Sequence, residues 1–179
     1  WVNIDPQSYF SNNCNSSLGC TDSNACNYDP SATTDDGSCI IGNCVENITQ
    51  NTFTADIQSG VISALSGDTL IAYQGTYFEN IYIDKRIILS SEYIFNNDTS
   101  YISSTIIDGS QDSTVVHIDT ANVILKGFTV TNGYSNYGAG ITAHGNGIVL
   151  TDLNVINNLA QGDLDGGGAA ISGDVHILN

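Results

Sequence analysis

Residues 122–133, NVILKGFTVTNG, return in outline at 147–158 as GIVLTDLNVINN, and each copy leads into a glycine cluster, Gly138 to Gly140 and then Gly166 to Gly168. An offset of 25 residues sets Leu125 on Leu150, Phe128 on Leu153, Val130 on Val155 and Asn132 on Asn157. A fixed period of about 20 to 50 residues marks a solenoid. Within each copy the apolar residues fall on alternate positions, which is the period of a strand. The alternation slips once per copy, at Gly127 and Asp152, where the chain must bend. Strands this short, broken by Gly and Asn about every 5 to 8 residues, cannot bury a face alone. Each must lie on the next in parallel register, so the predicted fold is all-β, a parallel β-helix. Stacking would place Asn132 over Asn157, either as a ladder of amide bonds or as two turn asparagines in a left-handed backbone.

Earlier segments fit the scheme less regularly: DTLIAYQGTYFEN (68–80), IYIDKRIILSSEYIF (81–95), STIIDGS (104–110) and STVVHIDT (113–120). Two-residue alternation shows in Ile81/Ile83, Ile87/Leu89 and Val116/Ile118, while the polar stretch FNNDTSYIS (95–103) reads as a loop thrown out from one coil. TADIQSGVISAL (54–65) carries apolar residues at 57, 61, 62 and 65, a helical spacing. A solenoid needs a lid over its first strand edge, and this short amphipathic helix is the natural candidate. The sequence ends at DVHILN inside what reads as another strand, so further coils of the same protein or a neighbouring subunit are expected at that edge. The organisation expected is therefore a cysteine- and aspartate-rich module at 1–45, a linker and capping helix at 46–66, and coils at 67–179.

Lysine plus arginine total 3 (Lys85, Arg86, Lys126) against 19 acids, a formal charge of −16. Nucleic acid and anionic lipid are poor partners for such a chain, because phosphate binding needs clustered cations. No apolar run approaches the roughly 18 to 20 residues that span a bilayer, so membrane insertion is not expected. The chain has no methionine, so it does not begin at its own initiator, and any export signal is expected to lie outside it. All five cysteines (Cys14, Cys20, Cys26, Cys39, Cys44) fall in the first quarter. A polar segment of that kind cannot hold a core of its own, and disulfides staple such modules in an oxidising compartment. Secretion or cell-surface display follows. Zinc is the competing reading, but there is no close Cys-x-x-Cys pair and no histidine before His117. An odd count leaves one thiol free or joined to another chain.

Asp22, Asn24, Asn27, Asp29, Asp35 and Asp36 crowd hard oxygen ligands into a loop bounded by cysteines, the chemistry that Ca²⁺ prefers. The loop is not an EF-hand, since Cys26 stands where the third ligand belongs and no bidentate Glu closes it. Alternatively Asp22 and Asp29 are turn formers, with Asp36-Gly37 as a tight turn. The string GCTDSNACNYDPSATTDDGSC (19–39) resembles the GCTD, ACNY, DDGSC repeat of large exported surface proteins, many of them from bacteria that use the type IX secretion route. That resemblance implies an extracellular, modular and longer protein. It also implies that Cys20 bonds Cys39, which leaves Cys26 to pair with Cys14 or Cys44.

From residue 67 onward, GDTLIAYQGTYFENIYI, TIIDGS and GFTVTNGYSNYGAGI resemble the right-handed parallel β-helix superfamily that contains the pectate lyases. The likeness implies a right-handed β-helix and speaks less clearly to activity. Lyases of that fold use a calcium held by acids beside an arginine or lysine that takes a proton next to the sugar carboxylate. Here Lys85 and Arg86 adjoin one another on opposite directions of a strand, and Lys126 reads as a solvated surface lysine. Glycosidases need paired carboxylates on one face. Asp163 and Asp165 in QGDLDGGG share a face if extended, with Asp152 in the strand before them; the same string resembles one copy of a calcium-binding glycine and aspartate nonapeptide. His144 in AHGNG resembles a glycine-flanked histidine of polygalacturonase-like enzymes, although the accompanying aspartate motifs and the basic clamp are missing.

The expected function is a structural or adhesive surface module, with Tyr73, Tyr77, Tyr82, Tyr93, Tyr101, Tyr134 and Tyr137 as candidate contacts to polysaccharide. The alternatives are a polysaccharide lyase or glycoside hydrolase with its active site on later coils, and a self-assembling extracellular filament subunit. Thr69, Ser113 and Thr120 sit in Asp-Ser/Thr tripeptides that resemble acceptors for bacterial O-glycans. Asn15, Asn47 and Asn97 match the N-x-Ser/Thr acceptor of eukaryotic hosts.

Overall fold

The computed structural model describes residues 16–161 and 167–178. The chain divides into two compact units, Trp1–Cys39 and Ile40–Asn179.

In the first unit, β1 (Leu18–Gly19) and β2 (Thr34–Asp35) form a two-stranded parallel pair. A disulfide joins Cys20 to Cys39, and Cys20 is one of the few buried residues here. Apart from an isolated bridge between Cys20 and Tyr28, the other described residues of the unit lie in turns, bends and irregular backbone. Cys26 and Cys44 are also disulfide-bonded; Cys14 lies outside the described residues.

The second unit begins with β3 (Val45–Asn47), β4 (Thr52–Thr54) and α1 (Ile57–Ser63). Strands β5 (Thr69–Ala72), β6 (Gly75–Phe78), β7 (Ile81–Ile83) and β8 (Ile88–Ser91) follow, then two short helices, α2 (Tyr93–Asn96) and α3 (Ser100–Ser104). Next come β9 (Thr105–Asp108), β10 (Val116–Ile118), β11 (Ile124–Lys126), β12 (Thr129–Thr131), β13 (Tyr134–Ser135) and β14 (Ile141–His144). The chain continues through β15 (Ile148–Thr151), β16 (Asn154–Ile156), β17 (Leu159–Ala160), β18 (Ala169–Ser172) and β19 (Val175–Leu178). The fold is mostly β, and its strands pair in parallel except at β3, which is antiparallel to β4 and β5. From β5 onward the chain visits three sheets in rotation, while β13 and β17 pair in a further two-stranded sheet. The first has the order β19-β15-β11-β8-β5-β3-β4, the second β16-β12-β9-β6 and the third β18-β14-β10-β7.

The 25-residue offset is a hydrogen-bond register. Leu125 pairs with Leu150 across β11 and β15, and Val130 with Val155 across β12 and β16. Phe128 is fully buried and Leu153 packs against the same core cluster. Ile81/Ile83, Ile87/Leu89 and Val116/Ile118 also point inward. Gly127 (φ 80°) and Asp152 (φ 54°) both adopt the left-handed backbone that the slipped alternation called for. Only at Gly127 does space also forbid a side chain: an added Cβ would lie 2.5 Å from Ser91 Oγ and 2.8 Å from Tyr93 Cβ. The glycine clusters stack on each other too, with Gly140 N donating to Gly167 O and Ile141 N to Gly168 O.

Asn132 and Asn157 are both left-handed turn residues (φ 57° and 56°). The Asn132 amide donates to Asp108 Oδ2 in the preceding round of strands at 2.8 Å. Asn158 bridges rounds as well, accepting from Gly133 N and donating to Val130 O. The two asparagines are turn residues and no amide ladder joins them; the cross-round bonds run from Asn132 to Asp108 and through Asn158.

Each strand of the first round has its open edge covered by a different device. Beside β5 lies β3, paired antiparallel to it and folded back on β4; residues read in sequence as the start of a linker thus extend the sheet. At β6, Asn43 Nδ2 donates to Thr76 O. At β7, the Gln58 side chain of α1 accepts from Tyr82 N and donates to Tyr82 O, imitating a strand neighbour. The helix is held there by Glu79, whose carboxylate takes Ile57 N and Gln58 N, and by Lys85, whose ammonium donates to Ile62 O and Ala64 O. Its buried face is Ile57, Gly60, Val61 and Ala64. Ile62 and Leu65, expected on that face, are 69% and 66% exposed, because small residues at 60 and 64 let the helix cross close over Val45 and Thr54.

Candidate functional site

The outward face of the third sheet brings together Tyr82, His117 and His144. Strand alternation sends Ile81, Ile83, Val116 and Ile118 inward and Tyr82 and His117 outward, and these two are register partners. His144, on β14, is exposed one strand further along. The result is a short ladder: Tyr82 stacks on His117 with ring centroids 5.3 Å apart, and His117 meets His144 at 5.6 Å. Ser172, the register partner of His144 on β18, places Oγ 2.6 Å from His144 Nδ1.

An open groove of ≈ 430 Å³ runs beside this ladder, lined by Thr114, His117, Ser135, Tyr137, Thr142, His144, Ala170, Ile171 and Ser172. Tyr137 is 59% exposed at its rim. The floor is hydroxylic and neutral: Thr142 Oγ1 donates to Gly138 O and lies 3.4 Å from Thr114 Oγ1. Tyr82 Oη donates to Asp119 Oδ2, and that carboxylate pushes the phenol pKa up. Such a surface offers aromatic area, imidazole edges and hydroxyls in one strip, which suits recognition of a hydroxyl-rich ligand.

The three cations of the chain serve other places. Lys85 is occupied by the carbonyls of α1. Lys126, read in sequence as solvated, sits 3.7 Å from Asp152 and 5.0 Å from the Tyr93 ring centroid. Arg86 lines a separate cleft with Gly67, Asn122 and Ile124. Lys85 and Arg86 occupy the turn between β7 and β8, so local turn geometry separates their targets.

The six residues expected to ligate calcium are engaged in turns. Asp22 Oδ1 accepts from Asn24 N and Nδ2, Asp29 Oδ1 from Ser31 N and Oγ, Asp35 Oδ1 from Gly37 N, and Asp36 Oδ1 from Ser38 N. Asn27 Nδ2 donates to Ser38 O. The bonds from Ser31 and Ser38 hold the carboxyls of Asp29 and Asp36 below the ordinary aspartate range. Among the described residues no group of three or more His, Cys, Asp or Glu converges as a metal site. Asp163 and Asp165 lie outside the described residues, as does Asn15.

Of the seven tyrosines proposed as contacts, Tyr77 and Tyr93 are buried, while Tyr82 and Tyr137 are exposed. Tyr73, Tyr101 and Tyr134 are partly buried. Burial pushes the phenols of Tyr73 and Tyr77 above their ordinary range, and Tyr77 Oη donates to Cys44 O and Tyr73 O. Ser113 is exposed, whereas Thr69 and Thr120 are half-buried. Asn47 is 3% exposed and its amide binds the Asp68 carboxylate, which closes it to a glycan; Asn97 is exposed. The pairing of His117 with Tyr82 and the approach of His144 went unread in sequence, because unequal loops between the strands hide their register. No helix among the described residues is long and apolar enough to cross a membrane.

No family model, curated protein or solved structure matches the chain.

Proposed function

We propose that this chain is a secreted or cell-surface adhesive module in which the three parallel sheets close into a right-handed parallel β-helix, and whose histidine and tyrosine groove binds polysaccharide. The observation that carries the reading is the Tyr82, His117, His144 ladder beside exposed Tyr137. None of these four groups belongs to the hydrophobic core, and His117, His144 and Tyr137 line a groove with neutral hydroxyls. Tyr137→Ala, at an exposed position, is expected to leave the melting temperature unchanged. It is expected to weaken binding to a polysaccharide about tenfold, or about 1.4 kcal/mol, in affinity electrophoresis through polysaccharide-loaded gels. Unaltered migration of the variant in every gel that retards the parent would remove the groove from the proposal.

The first unit supports an extracellular setting through its disulfide and its resemblance to exported repeat modules. Calcium remains the proposed ligand of its acidic loop, because the turns among Asp22, Asp29, Asp35 and Asp36 are made through Oδ1 alone in each case. Calcium is expected to raise the melting temperature at millimolar concentration, and an identical thermogram in EDTA would exclude it.

A second reading rests on the far edge. β16, β18 and β19 each end their sheet. Ile156, Ile171, Ile177 and Leu178 are exposed there, beside a cleft of ≈ 350 Å³ that reaches Leu150 and Leu153. Further coils or a neighbouring subunit would cover this edge. Sedimentation equilibrium is expected to show self-association that Ile177→Asp abolishes; a monomer at all concentrations would argue against the subunit form.

A further inference from the structure

We infer that the glycan taken by this groove is electrically neutral, extended and laid along the stacking direction, crossing β10, β14 and β18 in turn beside Tyr82 of β7, and that uronate and sulfated chains are turned away. The inference rests on the polysaccharide reading of the same groove and names its ligand class.

Direction comes from the ladder. Tyr82, His117 and His144 sit on three successive strands, 5.3 and 5.6 Å apart, and Ser172 continues the row on the fourth. Neighbouring strands in any sheet repeat at about 4.7–4.9 Å. An extended β-linked pyranose chain advances by a comparable step per sugar, so consecutive residues of such a chain meet consecutive strands. Because Tyr82 and His117 stack face to face, they turn their edges outward. The row therefore presents ring nitrogens and hydroxyls at a regular spacing, suited to the equatorial hydroxyls of successive sugars. A chain lying parallel to the strands would meet only one member of the row.

Neutrality comes from charge. Anionic polysaccharides are held by lysine or arginine, and none of the three lysine and arginine residues lines this groove: Lys85 is bonded to the carbonyls of α1, Lys126 is paired with Asp152, and Arg86 lines a separate cleft. The carboxylates near the ladder are Asp119, bonded to Tyr82, and Asp84. Against the background of −16, a carboxylate or sulfate entering the groove meets repulsion with no partner to offset it.

The test is calorimetric titration of the full chain at pH 7.5 and low salt. The probes are β-1,4-linked gluco-, xylo- and manno-oligosaccharides of two to six sugars, with oligogalacturonates of matched length. At least one neutral series is expected to tighten with length up to about four sugars and then level off. Oligogalacturonates are expected to bind at least tenfold more weakly, with the gap narrowing in high salt and in Asp119→Asn. Galacturonate binding as tight as the neutral series would overturn the charge argument while leaving the polysaccharide reading in place. Affinity that is already complete at the disaccharide would overturn the orientation. Absence of binding by every sugar would sink both the inference and the reading beneath it.

Discussion

Phe128→Ala is expected to cost the second unit about 3–5 kcal/mol of stability, the range for emptying a fully buried aromatic site, while its repeat partner Leu153→Ala costs about 1–2 kcal/mol. The two positions are equivalent in the repeat but not in their surroundings. Phe128 is 0% exposed between rounds on both sides. Leu153 packs on the same core from the last described round and lines an open cleft. A cavity at 128 is enclosed and cannot collapse, whereas truncation at 153 widens a space already in contact with solvent. Urea unfolding followed by far-ultraviolet circular dichroism measures both. Equal losses at the two sites would mean that Leu153 is covered in solution by something the described residues do not include.

Gly133→Ala is expected to be still more damaging, by about 4 kcal/mol or more, a size reserved for a small set of backbone and core conflicts. An added Cβ would fall 1.9 Å from Ala139 O and 2.6 Å from Ala139 C. Neither atom can move cheaply, because Ala139 O accepts from Val115 N and so anchors the entry to β10. Gly133 N is tied as well, donating to Asn158 Oδ1 in the next round. Gly168→Ala is the natural control, since a Cβ there meets nothing within 4 Å. Loss of cooperative unfolding in G133A beside a near-native transition in G168A is the expected outcome. Comparable transitions in both would show that the 133 to 139 corner is looser than its geometry indicates.

The copies at 122–133 and 147–158 are legible in the sequence because no insertion separates the strands within them, so the offset of Leu125 and Leu150 is also the register in which they bond. The bend was legible for a related reason. A glycine and an aspartate interrupt the same alternation at the same place, and both residue types tolerate a left-handed backbone. Earlier rounds resisted alignment because α2 and α3 are inserted between β8 and β9 and lengthen one round relative to the others. Parallel strands with a lone inward residue or two carry too little periodicity to survive such an insertion.

The candidate site was less visible than the fold. Tyrosines could be counted but not sorted, since Tyr77 and Tyr82 belong to opposite faces of their strands only once strand limits are known. Histidine enters no periodic pattern, and the contact of His117 with His144 depends on a register that the loops obscure. The edge covers were unreadable for another reason. Gln58 and Asn43 act as stand-in strands through side-chain amides, a role with no compositional mark. In the aspartate loop the turns were legible in the sequence, because each carboxylate reaches an N–H two residues away at almost no entropic cost.

The covers on β5, β6 and β7 leave the molecule with two unlike ends. Hydrogen bonds between rounds point along the pile, so tension applied in that direction loads few of them at once and parts the weakest first. Peeling would start at β19 and β18, whose outer flanks have no strand beside them among the described residues, and run toward the sealed side. Separation from that flank would thus proceed strand by strand, so a load would be met by successive small openings and not by one cooperative break.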